Sequence, residues 1–177
     1  MTKKVTNNIR RQLTLFVEPK DAETIEQVRQ MFNPRQFELI KSHVTLCRED
    51  EIQNLDQIIT NLNNQSPTEI AIEFGRVTRF DNGKGLLLPA TIDSTEFYEL
   101  RRQVLVGLTE NPKKQEPHIT LIHPRNAACT DNIFEQINKI NLPTKFKFKK
   151  VSLIEQINSA EWNVLQEFEL LNRAIEN

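Results

Sequence analysis

The sequence predicts an α+β fold built from two similar lobes, and three observations indicate it. Two five-residue segments nearly repeat each other: 42–46 reads Ser-His-Val-Thr-Leu, and 117–121 reads Pro-His-Ile-Thr-Leu. A stretch with helical spacing of apolar residues lies before and after each segment. A Pro-Thr pair and an alternating run then follow in both copies. Such a repeat predicts two equivalent units packed about an approximate twofold axis.

The two repeated segments are predicted to be strands. Apolar and polar residues alternate in both, and residues two apart in a strand point to the same face. His43 and Thr45 therefore share one face of the first strand, and His118 and Thr120 share one face of the second. If the two lobes pack about the axis, these four side chains meet in a groove between them.

The first half is predicted to begin with a strand from Leu13 to Val17 and a helix from Asp21 to Phe32. After its His strand, the acidic residues 49–51 lead into an apolar pattern from Ile52 to Leu62. This pattern predicts a helix with those acids in its first turn, where the helix dipole favours them. An alternating run at 70–74 predicts the next strand.

The second half repeats this order. Its predicted elements are a strand at 86–89, a helix at 94–109, the second His strand, a helix at 133–140 and strands at 146–148 and 162–168. Thr130 or Asp131 is expected to cap the shorter helix. The last strand is expected to play the part that 86–89 plays after the first half. We therefore predict one domain, 1–177, made of two repeat units at roughly 11–80 and 84–170.

The glycine-rich segment Asp81–Gly85 lies between two strand-like runs and predicts a hairpin turn. A phosphate-binding loop is the alternative, and the absence of a helix start directly after it argues against that role.

Composition narrows the function classes. Net charge is −1 and no apolar stretch approaches the ~20 residues of a membrane span, so no global field or segment draws the chain to a membrane. Residues 1–11 are polar and basic, which predicts no secretory signal. Two cysteines suggest no disulfide framework, and we expect a cytoplasmic monomer. By strand parity Cys47 shares the His43 face, although a small buried side chain is the commoner reading.

The paired His and Thr side chains suit chemistry on a phosphodiester. One neutral and one protonated imidazole can deprotonate an attacking water and protonate the departing oxygen. The Thr45 and Thr120 hydroxyls can donate to nonbridging oxygens as charge builds there. No cofactor is needed in this scheme. A metal site is disfavoured because His118 and His123, five residues apart, should face opposite sides of a strand. A purely structural repeat of the two motifs is the remaining alternative.

The motifs His43-Val44-Thr45-Leu46 and His118-Ile119-Thr120-Leu121 resemble the signature of the 2H phosphoesterase superfamily, which includes 2′-5′ RNA ligase-like proteins and cyclic nucleotide phosphodiesterases. The opening run from Leu13 into Glu18-Pro19 is similar to the start of that family. The resemblance implies an antiparallel sheet in each lobe and a central groove. It also implies metal-independent cleavage of 2′,3′-cyclic phosphates to 2′-phosphates, with His43 and His118 as the acid–base pair in either order and both threonines holding the phosphate.

The chain departs from the family pattern at one place. Members often carry an arginine three residues after the second threonine, where this chain has His123, and Arg48 occupies that place after the first. Arg48, His123 and Arg125 are therefore candidate phosphate or ribose contacts.

The expected partner is an RNA end or a small nucleotide with a cyclic phosphate, and ligation to a 2′-5′ bond is a further possible reaction. A noncatalytic RNA- or nucleotide-binding module that retains the groove is the alternative function. The run Lys145–Lys150 is expected to bury its phenylalanines and solvate its lysines, rather than to track RNA. Tyr98 and Trp162 are single aromatics able to stack on a base, although packing in the core or in an interface is the commoner role of such residues.

Overall fold

The computed structural model describes residues 7–91 and 93–172. Within these ranges the elements follow in the order β1 Ile9–Phe16, α1 Pro19–Phe32, α2 Pro34–Leu39, β2 His43–Cys47, α3 Leu55–Gln65, β3 Ile70–Glu73, β4 Thr78–Phe80, β5 Gly85–Pro89, α4 Thr95–Val104, β6 His118–Ile122, α5 Asp131–Asn138, β7 Lys145–Phe148, β8 Lys150–Ile157 and β9 Trp162–Glu169. Among them, no helix has the length and apolar character needed to cross a membrane.

The strands form antiparallel sheets with helices alongside, as predicted for an α+β fold. One sheet has the order β2-β1-β8-β9, a second has the order β4-β5-β6, and β3 pairs with β7. β8 comes from the second half of the chain but lies beside β1, and β4 comes from the first half but lies beside β5. Each half of the chain therefore contributes one strand to the sheet of the other half. The repeat boundaries 11–80 and 84–170 stay a prediction.

The pairing of β3 with β7 locates the twofold axis. Ile70 lies opposite Phe148, and Ile72 lies opposite Phe146. Each strand starts at the same distance from its Pro-Thr pair, so Ile70 corresponds to Phe146 in the repeat. If the two halves are exchanged, the pair of Ile70 with Phe148 becomes the pair of Phe146 with Ile72, which is also present. The approximate twofold axis therefore passes between β3 and β7.

The two His strands have the same register against equivalent partners. His43 lies opposite Phe16 at the end of β1, and His118 lies opposite Pro89 at the end of β5. In both pairs the register shifts by one residue after the threonine. Both strands show the same burial pattern, in which the last two residues are buried together. The register shift in each pair is a β-bulge, which adds one unpaired residue to the His strand and bends it.

The bulge overturns the parity argument for Cys47. Its side chain is fully buried beside Leu46 rather than on the His43 face. Burial raises the pKa of the Cys47 thiol to about 12. The commoner reading, a small buried apolar group, is confirmed.

The predicted bounds of α3 and α4 were wrong. The helix expected from Ile52 begins at Leu55, where the Asn54 side chain accepts a hydrogen bond from the Gln57 N–H. Glu51 therefore lies before the helix rather than in its first turn, and its carboxylate binds the buried guanidinium of Arg101. The helix expected to reach residue 109 ends at Val104, because the chain turns through residues 105–108.

The strand β8 was not predicted, because Val151 to Ile154 are buried on both faces of the strand and the run therefore shows no alternation of apolar and polar residues. The proposed role of the last strand was also wrong: β9 pairs with β8 at a sheet edge, whereas β5 pairs directly with a His strand. The short helix α2 was not foreseen either. Thr130 is confirmed as a cap, since its Oγ1 accepts the Ile133 N–H.

The glycine-rich segment is confirmed as a hairpin turn between β4 and β5. Asp81 and Asn82 both have positive φ, and the Gly83 N–H donates to the Phe80 carbonyl at 3.1 Å. In β7 the phenylalanines are buried and the lysines exposed, and Lys147 pairs with Glu69 at 2.5 Å. That strand therefore has the structural role expected for it.

Candidate active site

Both histidine rings are held by the same local hydrogen bond. Nδ1 of His43 lies 2.7 Å from the carbonyl oxygen of Lys41, and Nδ1 of His118 lies 2.9 Å from that of Glu116. A carbonyl oxygen only accepts, so Nδ1 carries the hydrogen in each ring. In a neutral ring this leaves the lone pair on Nε2. The repeat thus reproduces the tautomer as well as the position of the histidine.

The structure brings all six sequence-predicted site residues to one groove. His43, His118, Thr45 and Thr120 line a cavity of about 320 Å³ together with Arg48 and His123. The rest of its lining consists of Arg10, Gln12, Arg29, Arg35, Gln36, Leu39, Ile40, Gln115, Arg125, Asn126, Gln156, Ser159 and Trp162. The two His strands therefore converge on one space.

The groove is cationic although the chain carries a net charge of −1. Within the described part of the chain its lining includes five arginines and three histidines but no aspartate or glutamate. Arg10 and Arg35 pair with Glu49 and Glu38 outside the lining. Arg48 and Arg125 enter no ion pair with any described residue. The site therefore favours an anion through local charge.

The protonation of His43 is shaped by its surroundings. Burial lowers the pKa of His43 to about 4, and the nearby charges of Arg29 and His118 act in the same direction. The pKa of His123 is also lowered, mainly by burial and then by Arg125. A bound anion would oppose the repulsion among these groups and favour a proton on His43.

A buried ion pair braces the segment before His43. The Glu26 carboxylate lies 2.6 Å from Nη1 of Arg29 and accepts the Ser42 backbone N–H at 2.5 Å. Nη2 of Arg29 donates to the Ile40 carbonyl at 2.7 Å. The Arg29 side chain is 1% exposed, so the pair is desolvated. This pair ties α1 to the residue that precedes the histidine.

A second buried guanidinium connects the two His strands. Arg101 on α4 donates to the carbonyl of Leu46, the bulge residue that follows Thr45. Its Nη2 donates to Glu51 at 2.6 Å and to the Lys113 carbonyl at 2.8 Å, five residues before His118. Arg101 thereby links the end of β2 to the segment that leads into β6.

Sequence reasoning missed several groove residues. Arg10 and Gln12 were missed because β1 begins at Ile9 rather than Leu13. Both lie on the same strand face as Thr14, at a spacing of two residues. That alternation, extended toward the start of the strand, is the sequence pattern that could have identified them. Arg29 is one helical turn from Ile25 on the apolar face of α1, which does not distinguish a buried guanidinium from a solvated one. Trp162, one of the two single aromatics, does line the groove.

No group of three or more His, Cys, Asp or Glu side chains with metal-binding geometry occurs among residues 7–91 and 93–172. His118 and His123 both face the groove, so the parity argument that separated them was wrong. His123 lies just beyond the bulge in β6, where strand alternation no longer applies.

Comparison with known proteins decides the family. A model of the 2′-5′ RNA ligase superfamily matches residues 17–160. The chain belongs to this superfamily. The match confirms the resemblance to the 2H phosphoesterases, and both His-x-Thr motifs lie within it. No curated protein sequence matches the chain.

Solved structures of low sequence identity share the fold of this chain. LigT of E. coli complexed with phosphate has a TM-score of 0.60 at 12% identity, over 94% of this chain and 99% of that one. LigT complexed with 3′-AMP has a TM-score of 0.60 at 13% identity, over 92% and 98%. A protein described as a phosphoesterase has a TM-score of 0.59 at 12% identity, over 93% and 99%. The family match indicates an enzyme of phosphoesterase or ligase type.

Proposed function

We propose that this protein is a phosphodiesterase that hydrolyses 2′,3′-cyclic phosphates of RNA ends or nucleotides by two-histidine acid–base catalysis. The observation that carries the proposal is the convergence of His43 and His118 on one cationic groove, each with Nδ1 bound to a backbone carbonyl. This arrangement makes Nε2 of both rings the nitrogen available for proton transfer.

The reaction requires one neutral and one protonated ring. A water oxygen attacks phosphorus while the neutral imidazole takes its proton. The P–O3′ bond breaks, and the protonated imidazole gives its proton to O3′. The product carries a 2′-phosphate and a free 3′-hydroxyl. In ligation, the 5′-hydroxyl of a second RNA would take the place of water and form a 2′-5′ bond.

The threonine hydroxyls and the arginines would hold the phosphate. Thr45 and Thr120 share the strand faces of the histidines, so their hydroxyls can donate to the two nonbridging oxygens. Arg48 and Arg125 have no carboxylate partner within the described chain and are available to an anion. The complexes of the structurally similar LigT with phosphate and with 3′-AMP support a nucleotide phosphate as ligand.

We further propose that the enzyme acts in the cytoplasm, as a monomer and without a metal ion. Both described cysteines are free and buried, which suits a reducing compartment. The two imidazoles account for both proton transfers, so the scheme assigns no step to a metal. Turnover in the presence of a chelator tests that part of the proposal directly.

The test is hydrolysis of adenosine 2′,3′-cyclic phosphate with EDTA present, followed by phosphorus NMR. We expect a single 2′-phosphate product, and loss of turnover by roughly 10²-fold or more in His43→Ala and in His118→Ala. Circular dichroism establishes that both variants are folded. Binding of the nucleotide without turnover by the wild-type protein would contradict the enzyme and indicate a noncatalytic binding module.

A further inference from the structure

A second cavity of about 480 Å³ lies directly beside the groove. It shares Leu39, Ile40 and Trp162 with the groove, so the two spaces have a common wall. Its other walls include the aromatic residues Phe16 and Phe37, four glutamates and two lysines. We call this second space the side pocket.

The ring of Phe16 separates the side pocket from the candidate catalytic residue His43. Phe16 lines the pocket, and its ring packs edge-on against the ring of His43 with 6.0 Å between centroids. A nucleoside 2′,3′-cyclic phosphate has its base one ribose away from phosphorus. With the phosphate at His43, a base attached to that ribose is within reach of the side pocket.

The charges of the two spaces differ in sign. Among the residues that the structure describes, the groove lining contains arginines and histidines without carboxylates, whereas the side pocket contains the four glutamates Glu18, Glu38, Glu161 and Glu167. Its lysines are engaged: Lys150 pairs with Glu167 at 3.2 Å, and Lys41 lies 4.6 Å over the Phe37 ring. A phosphate is therefore attracted to the groove and repelled from the side pocket.

The side pocket suits a flat, neutral ring that donates hydrogen bonds. Its walls include Phe16, Phe37 and Trp162, and base–aromatic stacking is favourable for any base. Glu18 and Glu161 enter no ion pair within the described chain, which leaves their carboxylates free to accept N–H groups. Exocyclic amines of adenine, guanine and cytosine are donors of this kind.

We propose that the side pocket binds the nucleobase of the substrate, preferring bases with an exocyclic amine, while the groove binds the phosphate. This inference rests on the proposed function, because the position of the base follows from the phosphate lying between the two histidines. It names the substrate as a nucleotide whose base is recognised, rather than any cyclic phosphodiester.

The test compares two substrates and three variants. The substrates are adenosine 2′,3′-cyclic phosphate and the base-free methyl ribofuranoside 2,3-cyclic phosphate. Phe37→Ala removes an aromatic wall, and Phe37→Leu keeps apolar volume without the ring. The matched control is Phe134→Ala: Phe134 is also half-buried beneath a cation, with Arg79 4.8 Å over its ring, but it lines neither space.

We expect Phe37→Ala to lower kcat/KM for the adenosine substrate by roughly 5- to 150-fold. Phe37→Leu should lower it less, and Phe134→Ala should leave it unchanged. None of the three variants should change kcat/KM for the base-free substrate. Equal losses on both substrates, or no loss for Phe37→Ala on the adenosine substrate, would overturn the proposal. A uridine substrate turned over faster than the adenosine one would overturn the amine preference.

Failure of the proposed function is distinguishable from failure of this inference. If the wild-type protein turns over neither substrate, the enzyme is refuted, and titration with 3′-AMP and with inorganic phosphate decides the side pocket. Weaker 3′-AMP binding by Phe37→Ala, with unchanged phosphate binding, would support a base site. Unchanged binding of both ligands would refute it.

Discussion

Lowering the pH from 7 to 5 should destabilise this protein through His43, and replacing that residue with glutamine should remove the effect. The folded protein holds the pKa of His43 at about 4, against the ordinary 6.5. Between these values the unfolded chain binds a proton that the folded protein does not. The free energy of unfolding therefore falls as the pH falls through this window, and the loss is complete below pH 4.

The size of the effect follows from the two pKa values. At pH 7 the folded state is unprotonated at His43 and most of the unfolded state is too, so the destabilisation there is small. At pH 5 the unfolded state is almost fully protonated while the folded state is not, and the destabilisation is roughly 2 kcal/mol. The contribution of His43 between the two pH values is thus about 2 kcal/mol.

Urea unfolding measures this contribution. Trp162 is the single tryptophan and provides a fluorescence signal. Wild-type protein and His43→Gln are unfolded at pH 7 and at pH 5, and the loss on acidification is compared between them. Titrating groups outside the groove affect both proteins alike, so the wild type should lose about 2 kcal/mol more than the variant. A difference below roughly 0.5 kcal/mol, or one of opposite sign, would refute the account of His43.

Three other predictions concern the remaining parts of the site. Arg101→Gln should lower the free energy of unfolding by roughly 3–5 kcal/mol, because it leaves the buried Glu51 carboxylate unpaired. It should also lower kcat more than it raises KM. The control is the exposed neighbour, and Arg102→Gln should leave the melting temperature and kcat unchanged. Thr45→Val and Thr120→Val should each lower kcat/KM by roughly 10- to 150-fold while leaving the circular dichroism spectrum unchanged. Wild-type activity in either variant would contradict the hydrogen bond from that threonine to the phosphate. Cys47 should resist iodoacetamide at pH 8 in the folded protein, because its buried thiol has a pKa raised to about 12, and mass spectrometry of a labelled Cys47 peptide would contradict this.

The candidate site could be predicted from the sequence largely because strand alternation is a local signal. His43 and Thr45 lie two apart, as do His118 and Thr120, and the repeat of that spacing indicated a shared function. Their convergence on one cavity followed from the twofold relation between the halves. The hairpin at Asp81 was predictable for the same reason, since turn residues act within a few positions.

What the sequence did not reveal depends on contacts between distant segments. The exchange of β4 and β8 between sheets is a choice of partner, and alternation within a strand does not encode it. Arg29 and Arg101 are buried because they donate hydrogen bonds to the backbone carbonyls of Ile40 and Leu46. The spacing of residues within the helices that carry the two arginines does not identify these acceptors. The bulge in β2 moved Cys47 into the core because a single extra residue reverses strand parity.

The central claim is that both imidazoles bind one phosphate, and a crystal structure with inorganic phosphate in the groove tests it most directly. We predict one phosphate with oxygens roughly 2.7–3.2 Å from Nε2 of His43 and from Nε2 of His118. A phosphate that contacts only one of these rings, or that binds outside the groove while the groove stays empty, would contradict the account.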